Sequence, residues 1–224
     1  MKKFLLAVLC LTVALPAFAQ SKVDKRLSES TAVLNTLLTK PDGINKVLLE
    51  KAECVLVYPA VRKVGVGIGV SYGRGVLVCR TGKEMTGSWG APIMYTLDTG
   101  SLGAQLGSTS TDYVMLVMTQ RGADKILSGK LKLGADAQAA AGPSAAQANG
   151  WNDPNVDVLT YAEAKGLFAG ASLGSASMAA DNDANKDLYG KPIDALEIVR
   201  GNTTVPAAGK PLVELLDKTA AKHK

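Results

Sequence analysis

Histidine is almost missing from this chain of 224 residues: there is one, His223, in a Lys222-His223-Lys224 tail. A general base has to be held within hydrogen-bond reach of its nucleophile, and a chain end of this kind frays. That scarcity bears on the most enzyme-like string present, Gly170-Ala171-Ser172-Leu173-Gly174, which spells the nucleophile elbow and is followed by Asp194, Asp217 and His223 in serine–acid–histidine order. An elbow sits between a strand and a helix, whereas Ser175-Ala176-Ser177-Met178 continues a strand-like pattern. No paired-carboxylate motif is present either, so the sequence reads as non-enzymatic and implies no cofactor. Aromatic residues make up 5% of the chain, which leaves no stacking platform for single-stranded nucleic acid. Cysteine is scarce too: Cys10, Cys54 and Cys79, too few without histidine for a structural zinc site. The formal charge of +5 is mild and unclustered, where nucleic-acid binders carry basic stripes. No segment approaches the ~20 apolar residues that a membrane-spanning helix needs.

What is present begins with a leader. Met1-Lys2-Lys3, an apolar run from Phe4 to Leu15 and Pro16-Ala17-Phe18-Ala19 have the charged, apolar and small-x-small parts of a secretory signal peptide. Cys10 lies in the middle of the apolar run after Leu9, not at a lipoprotein cleavage site. Residues 1–19 are therefore expected to be removed, leaving 20–224 as one domain, exported to the periplasm or associated with an outer membrane. In an oxidising compartment Cys54 and Cys79 either pair or remain as two buried thiols.

Residues 22–38 place Val23, Leu27, Leu34, Leu37 and Leu38 at helical spacing, with Lys25, Glu29 and Asn35 opposite, and Pro41-Asp42-Gly43 closes the segment. A short helix over about 44–52 follows. Cys54–Tyr58 then reads as a buried strand, and residues 64–80 alternate, with Gly65, Gly67 and Gly69 on one face and Val64, Val66, Ile68 and Val70 on the other. Tyr72-Gly73-Arg74-Gly75 is expected to be a hairpin turn into Val76–Cys79. Further strands are predicted at 91–97, 101–107, 112–119, 156–161 and 166–179, and helices at 121–128, 192–199 and 211–221. The Ala-rich stretch 135–149 fits helix, loop or strand. Strands lying close together without crossover helices argue for an antiparallel sheet, and alternating glycines suit a bent or closing one. The predicted fold is α+β: a curled, barrel-like, mainly antiparallel sheet with flanking helices.

Two further strings carry little chemistry. Gly65-x-Gly67-x-Gly69 lies inside a strand, not between a strand and a helix, so it is not a phosphate-binding turn. Asp181-Asn182-Asp183-Ala184-Asn185-Lys186-Asp187 starts like a calcium loop, but Lys186 stands where glycine is wanted and Pro192 where a bidentate glutamate is wanted. It reads instead as an Asx-rich loop and helix cap. The basic residues form three small groups: Lys22, Lys25 and Arg26; Arg62 and Lys63; and Lys125, Lys130 and Lys132. Each alone is an ordinary solvated surface. Brought together they would suit an anionic lipid surface, with the first helix adding apolar insertion unless its leucines pack on the sheet instead.

Several strings, in order, resemble the SYLF-domain family. Lys51-Ala52-Glu53-Cys54-Val55-Leu56-Val57-Tyr58-Pro59 resembles its opening strand, and Gly65–Gly69 with Tyr72–Leu77 its glycine hairpin. Trp89-Gly90-Ala91-Pro92 and Gly103-Ala104-Gln105-Leu106-Gly107 are similar to its next motifs. Lys132–Asp136 with Ala141-Gly142-Pro143, Lys165–Leu173, and Asn185 to Tyr189-Gly190 complete the set, which spans about 24–200. Gly174 departs from the acidic residue that commonly follows "S-L" in the family. The resemblance implies a lipid-binding module, taking an anionic phospholipid or a phosphoinositide-like head group, with a protein-interaction module of the envelope as the alternative. It implies an N-terminal amphipathic helix with basic residues as the contact, which falls on Lys22, Lys25 and Arg26, joined by Arg62, Lys63, Lys130 and Lys132. Envelope proteins are further expected partners. Actin, a partner of yeast relatives, is not carried over to an exported protein.

Overall fold

The computed structural model describes residues 21–133, 139–141, 156–165 and 176–220, with backbone alone at 64–69, 100–109, 130, 139–141 and 164–165. Helix α1 (Lys22–Thr39) opens on Ser21, whose Oγ accepts from the Asp24 amide at 3.0 Å. That bond satisfies one of the amides a helix start leaves unpaired. Asn45 does the same for α2 (Lys46–Lys51), accepting from the Val47 amide at 2.8 Å. Two long strands follow, β1 (Cys54–Cys79) and β2 (Ile93–Val117), and then α3 (Gln120–Leu127), β3 (Lys130–Lys132), β4 (Ala139–Ala141), β5 (Val158–Lys165) and β6 (Ser177–Ala180). Helices α4 (Asn182–Tyr189), α5 (Ala195–Arg200) and α6 (Lys210–Thr219) close the chain.

The fold is α+β with a curled, mainly antiparallel sheet. Strand β2 is its spine: β1 runs antiparallel along one edge from Cys54↔Val117 to Leu77↔Ile93. On the other edge β5 pairs with Ser110–Val117 and β6 with Tyr95–Asp98. Strand β3 extends the sheet from β6, and β4 joins β5 in parallel.

The curl comes from β1 returning on itself. The Cα atoms of Cys54 and Cys79 are 3.9 Å apart and their sulfurs are bonded, which resolves the two alternatives for these cysteines. A Cβ on Gly75 would lie 2.3 Å from the Val57 carbonyl oxygen, and one on Gly73 would lie 2.7 Å from Val61 Cγ2. These glycines serve close approach inside a strand. The predicted turn at Tyr72–Gly75 is therefore corrected: those residues lie within β1. Likewise the three strands predicted over 91–119 are one long strand, because no turn interrupts their pairing with β1.

Side chains alternate across the sheet, and both faces are covered. Leu56, Leu77, Tyr95 and Met115 pack with Ala123, Ile126 and Leu127 of α3 and Ile198 and Val199 of α5. Val55, Val57, Val76, Val78, Met94, Val114 and Leu116 pack with Val23, Leu27, Leu34 and Leu37 of α1, with α2, and with Leu212, Val213 and Leu216 of α6. Each large side chain fully buried here contributes about 1.5–3 kcal/mol. Of the loop and helix cap predicted at 181–187, the loop is instead helix α4, while the cap is present: Asp181 Oδ1 accepts from the Ala184 amide at 3.2 Å. Its buried Asn185 bonds to both the amide and the carbonyl of Met94, at 2.8 and 3.2 Å, so a side chain pairs with β2 as a strand would.

A buried cation ties three helix and loop ends together. Arg80 donates to the carbonyls of Ala52 at 3.0 Å, Glu50 at 3.1 Å, Gly87 at 3.4 Å and Ala220 at 3.5 Å, with its guanidinium 4.2 Å from the Trp89 ring centre. Burial holds its pKa below the usual value, opposed by Glu53 and then Asp217 and Glu50. No described helix is long and apolar enough to cross a membrane.

Candidate functional site

The site begins with a backbone irregularity. Between Tyr58↔Tyr113 and Val61↔Thr111 strand β1 carries one extra residue, a β-bulge of the kind that re-aims side chains. Ala60 sits there at φ +49°, and its amide donates to Asp112 Oδ1 at 2.7 Å. Before the bulge, Leu56 and Tyr58 face the α3 side. After it Val61 takes that side, so Arg62 turns to the side of α1. Its neighbour Lys63 points to the opposite face.

On the return arm of β1 the same side carries Val78 and Val76, buried under the helices, and then Arg74, Tyr72 and Val70, which extend beyond them into solvent. Helix α1 starts alongside. The two arms and the helix enclose a cleft of about 450 Å³ lined by Lys22, Lys25, Arg26, Glu29, Pro59, Ala60, Arg62, Tyr72, Gly73 and Arg74. Five of these are basic and one is acidic.

The five cations are not equivalent. Arg26 is buried, and its Nη1 lies 3.0 Å from Asp181 Oδ2, so it braces α1 against the start of α4. Lys25 reaches Glu29 at 3.7 Å in an exposed i,i+4 pair, an arrangement worth a few tenths of a kcal/mol (~0.3–0.5). Arg74 Nε donates to the Tyr72 hydroxyl, and that bond is the main reason its pKa rises above the ordinary value. Its guanidinium carbon is 5.7 Å from the Tyr72 ring centre. Among the described residues Lys22 and Arg62 have no acidic partner.

The structure thus gathers Lys22, Lys25, Arg26 and Arg62 of the sequence-predicted residues and separates the others. Lys63 is on the other face of the sheet. Lys132 is in the row Lys132↔Ser177↔Asp98↔Tyr72, three strands and so roughly 14 Å from Tyr72. Lys130 pairs with Ala179, and its side chain is outside the described residues. Sequence reasoning missed Arg74 and Tyr72, which the turn reading had placed in a loop. Their even spacing from Val76 and Val78 was the available signal.

Other candidates contribute less. Ser172, Gly174 and His223 lie outside the described residues. Asp217 Oδ1 accepts from the Trp89 amide at 3.4 Å, a structural bond. Among the described residues no group of three or more His, Cys, Asp or Glu is placed to hold a metal ion. A second cleft of about 570 Å³, on the far side of the α1 start, mixes Lys22, Asp24 and Asp187 with Leu188 and Pro206–Ala208, and its two carboxylates outnumber its one cation.

Residues 98–219 match the Ysc84 family, described as "Las17-binding protein actin regulator". The chain is 32% identical over 167 residues to an SH3 domain-containing protein of Schizosaccharomyces pombe, a match covering 72% of this chain and 38% of that protein. It is 27% identical over 207 residues to Protein YSC84 of Saccharomyces cerevisiae, covering 90% and 43%. To the human SH3 domain-containing YSC84-like protein 1 it is 27% identical over 195 residues, covering 84% and 56%. The chain spans about half or less of the length of these relatives. No solved structure matches it.

Proposed function

Because the chain belongs to the Ysc84 (SYLF-domain) family, we propose that it is a non-enzymatic binding module whose basic cleft docks the head groups of an anionic phospholipid surface. The observation that carries this reading is the five-to-one excess of cations in one cleft, assembled from a helix start and two strand arms. Basic residues near an anionic membrane contribute about 1 kcal/mol each. Lys22, Lys25, Arg62 and Arg74 together then give at most about 4 kcal/mol, roughly a thousandfold preference for anionic over neutral vesicles. Arg26 supplies the floor of the cleft, with its charge already matched by Asp181. Reading residues 1–19 as a signal peptide supports placing this surface on the outer side of a bacterial inner membrane or against the outer membrane.

Sedimentation with phosphatidylglycerol vesicles and with phosphatidylcholine vesicles tests the proposal. Binding confined to the anionic vesicles and weakening steeply between low and physiological salt is expected, because exposed charges are screened over about 8–10 Å. Equal binding to both, or to neither, contradicts it.

A second reading rests on the relatives' names, which include "LAS seventeen-binding protein 3". On that reading the same cleft takes an acidic segment of an envelope protein. It predicts no vesicle preference and a protein cross-linked through a photoreactive residue at position 62.

A further inference from the structure

The first helix is the obvious apolar anchor for a membrane-docking protein, yet its apolar face is already occupied. Val23, Leu27, Leu34 and Leu37 are all buried, none more than 6% exposed, against the sheet and α6. Insertion by that face would empty the core. Exposed large apolar residues among those described are Val47, Val70, Tyr72 and Leu196. Val47 is on α2 and Leu196 on α5, and isolated residues of this kind are ordinary. Val70 and Tyr72 differ. They are neighbours at i and i+2 on one face of β1, 56% and 45% exposed, where that arm extends past the helices.

From this juxtaposition we infer that Val70 and Tyr72 form a shallow apolar anchor that enters the bilayer beside the head groups held in the basic cleft. The inference rests on the head-group reading and adds to it: the partner is an intact lipid surface, since a free phosphate ester satisfies the cleft but offers nothing to Val70. Charge complementarity fixes the orientation. Tyr72 and Arg74 line the cleft while Val70 follows at the end of the same row, so cations seated at phosphate level bring Val70 to the acyl boundary. Interfacial docking of this sort buries apolar groups about 5–10 Å into the head-group region. Tyr72 suits the position because its ring is apolar and its hydroxyl stays with Arg74.

The test uses the full chain with two probes, phosphatidylglycerol vesicles and soluble glycerol 3-phosphate. Val70→Ser should lower vesicle partitioning about tenfold, leave glycerol 3-phosphate binding as in wild type, and leave the thermal unfolding midpoint unchanged. A separate Tyr72→Trp protein should show emission quenched by lipids brominated near the head of the acyl chain, with weaker quenching from bromines near the bilayer centre. Unchanged vesicle partitioning of Val70→Ser, or a tryptophan at 72 that no brominated lipid quenches, overturns the anchor while leaving head-group docking standing. Failure of the wild type to bind anionic vesicles removes both. If instead the wild type dimerises with increasing concentration and Val70→Ser abolishes that without touching vesicle binding, the patch serves a second copy and the inference is wrong.

Discussion

Replacing Cys54 and Cys79 together by alanine should destabilise the protein by about 3.5 kcal/mol. The bond joins residues 25 apart in sequence, and closing a loop of that length removes about 12 cal/mol/K of entropy from the unfolded chain, or about 3.5 kcal/mol at 25 °C. Both residues are buried in the sheet core, so dithiothreitol should leave the native protein intact and act only as urea opens it. With an m value of about 2–3 kcal/mol/M for a domain of this size, the urea midpoint should fall by more than about 1 M. The functional consequence follows from position: Arg62 and Arg74 both lie inside the closed loop, one on each arm of β1, so the variant should also bind anionic vesicles less tightly while still folded. Urea titration by circular dichroism, with vesicle sedimentation below the transition, measures both. A loss below about 1 kcal/mol would refute the reasoning, because the ends of β1 would then be held in the unfolded ensemble by something other than the bond.

Arg26→Ala should act on stability and not on lipid. It leaves Asp181 without its ion-pair partner but still capping α4, so the cost is expected near the lower end of the ~3–5 kcal/mol for breaking a buried pair. Calorimetry gives that cost, and vesicle affinity per folded molecule should stay within about threefold of wild type, since Arg26 is buried and its charge is already matched by Asp181, unlike the exposed cations that reach the membrane surface. Glu53 supplies a pH dependence. Burial, opposed by Arg80, raises its carboxyl from 4.5 to about 6. A folded-state pKa above the unfolded one means that the protonated form is favoured in the fold, so the stability it contributes is full below pH 4.5 and is lost as pH rises through 6. Glu53→Gln should abolish that slope and raise stability at pH 7. The gain should be about 0.5–1 kcal/mol, below what the whole shift implies, because the side chain is half exposed and solvent screens it. An unchanged slope in urea midpoints between pH 4.5 and 6.5 would assign the titration elsewhere.

The apolar stripe of α1 was readable from spacing alone, and the same spacing implied something that the charge of Arg26 obscured: three residues after Val23 and next to Leu27, it belongs to the buried stripe. Its partner Asp181 is 155 residues away, a distance no local pattern spans. The alternation of β1 was equally legible, but its phase was not. One bulge at Ala60, held by Asp112 from a different strand, decides that Arg62 faces the cleft and Lys63 does not. Tyr72-Gly73-Arg74-Gly75 has the composition of a turn, yet its glycines are there because Val61 and Val57 occupy the space their side chains would fill. Local composition cannot distinguish those two uses of glycine. Asp181–Asp187 shows the same ambiguity, since its Asx residues suit a loop until Asp181 caps the helix and Asn185 finds Met94.

The central claim is that charges in one cleft, and not basic residues at large, hold the lipid surface. Its most direct test is a comparison of two double charge reversals of equal net charge, sedimented with the same phosphatidylglycerol vesicles. Arg62→Glu with Lys25→Glu removes two cations from the cleft, whereas Lys63→Glu with Lys132→Glu changes two outside it. The account predicts at least a thirtyfold loss of affinity, ~2 kcal/mol, for the first pair, and less than about a quarter of that free energy for the second. Equal losses from both pairs would contradict it and leave only a diffuse attraction between a basic protein and an acidic surface.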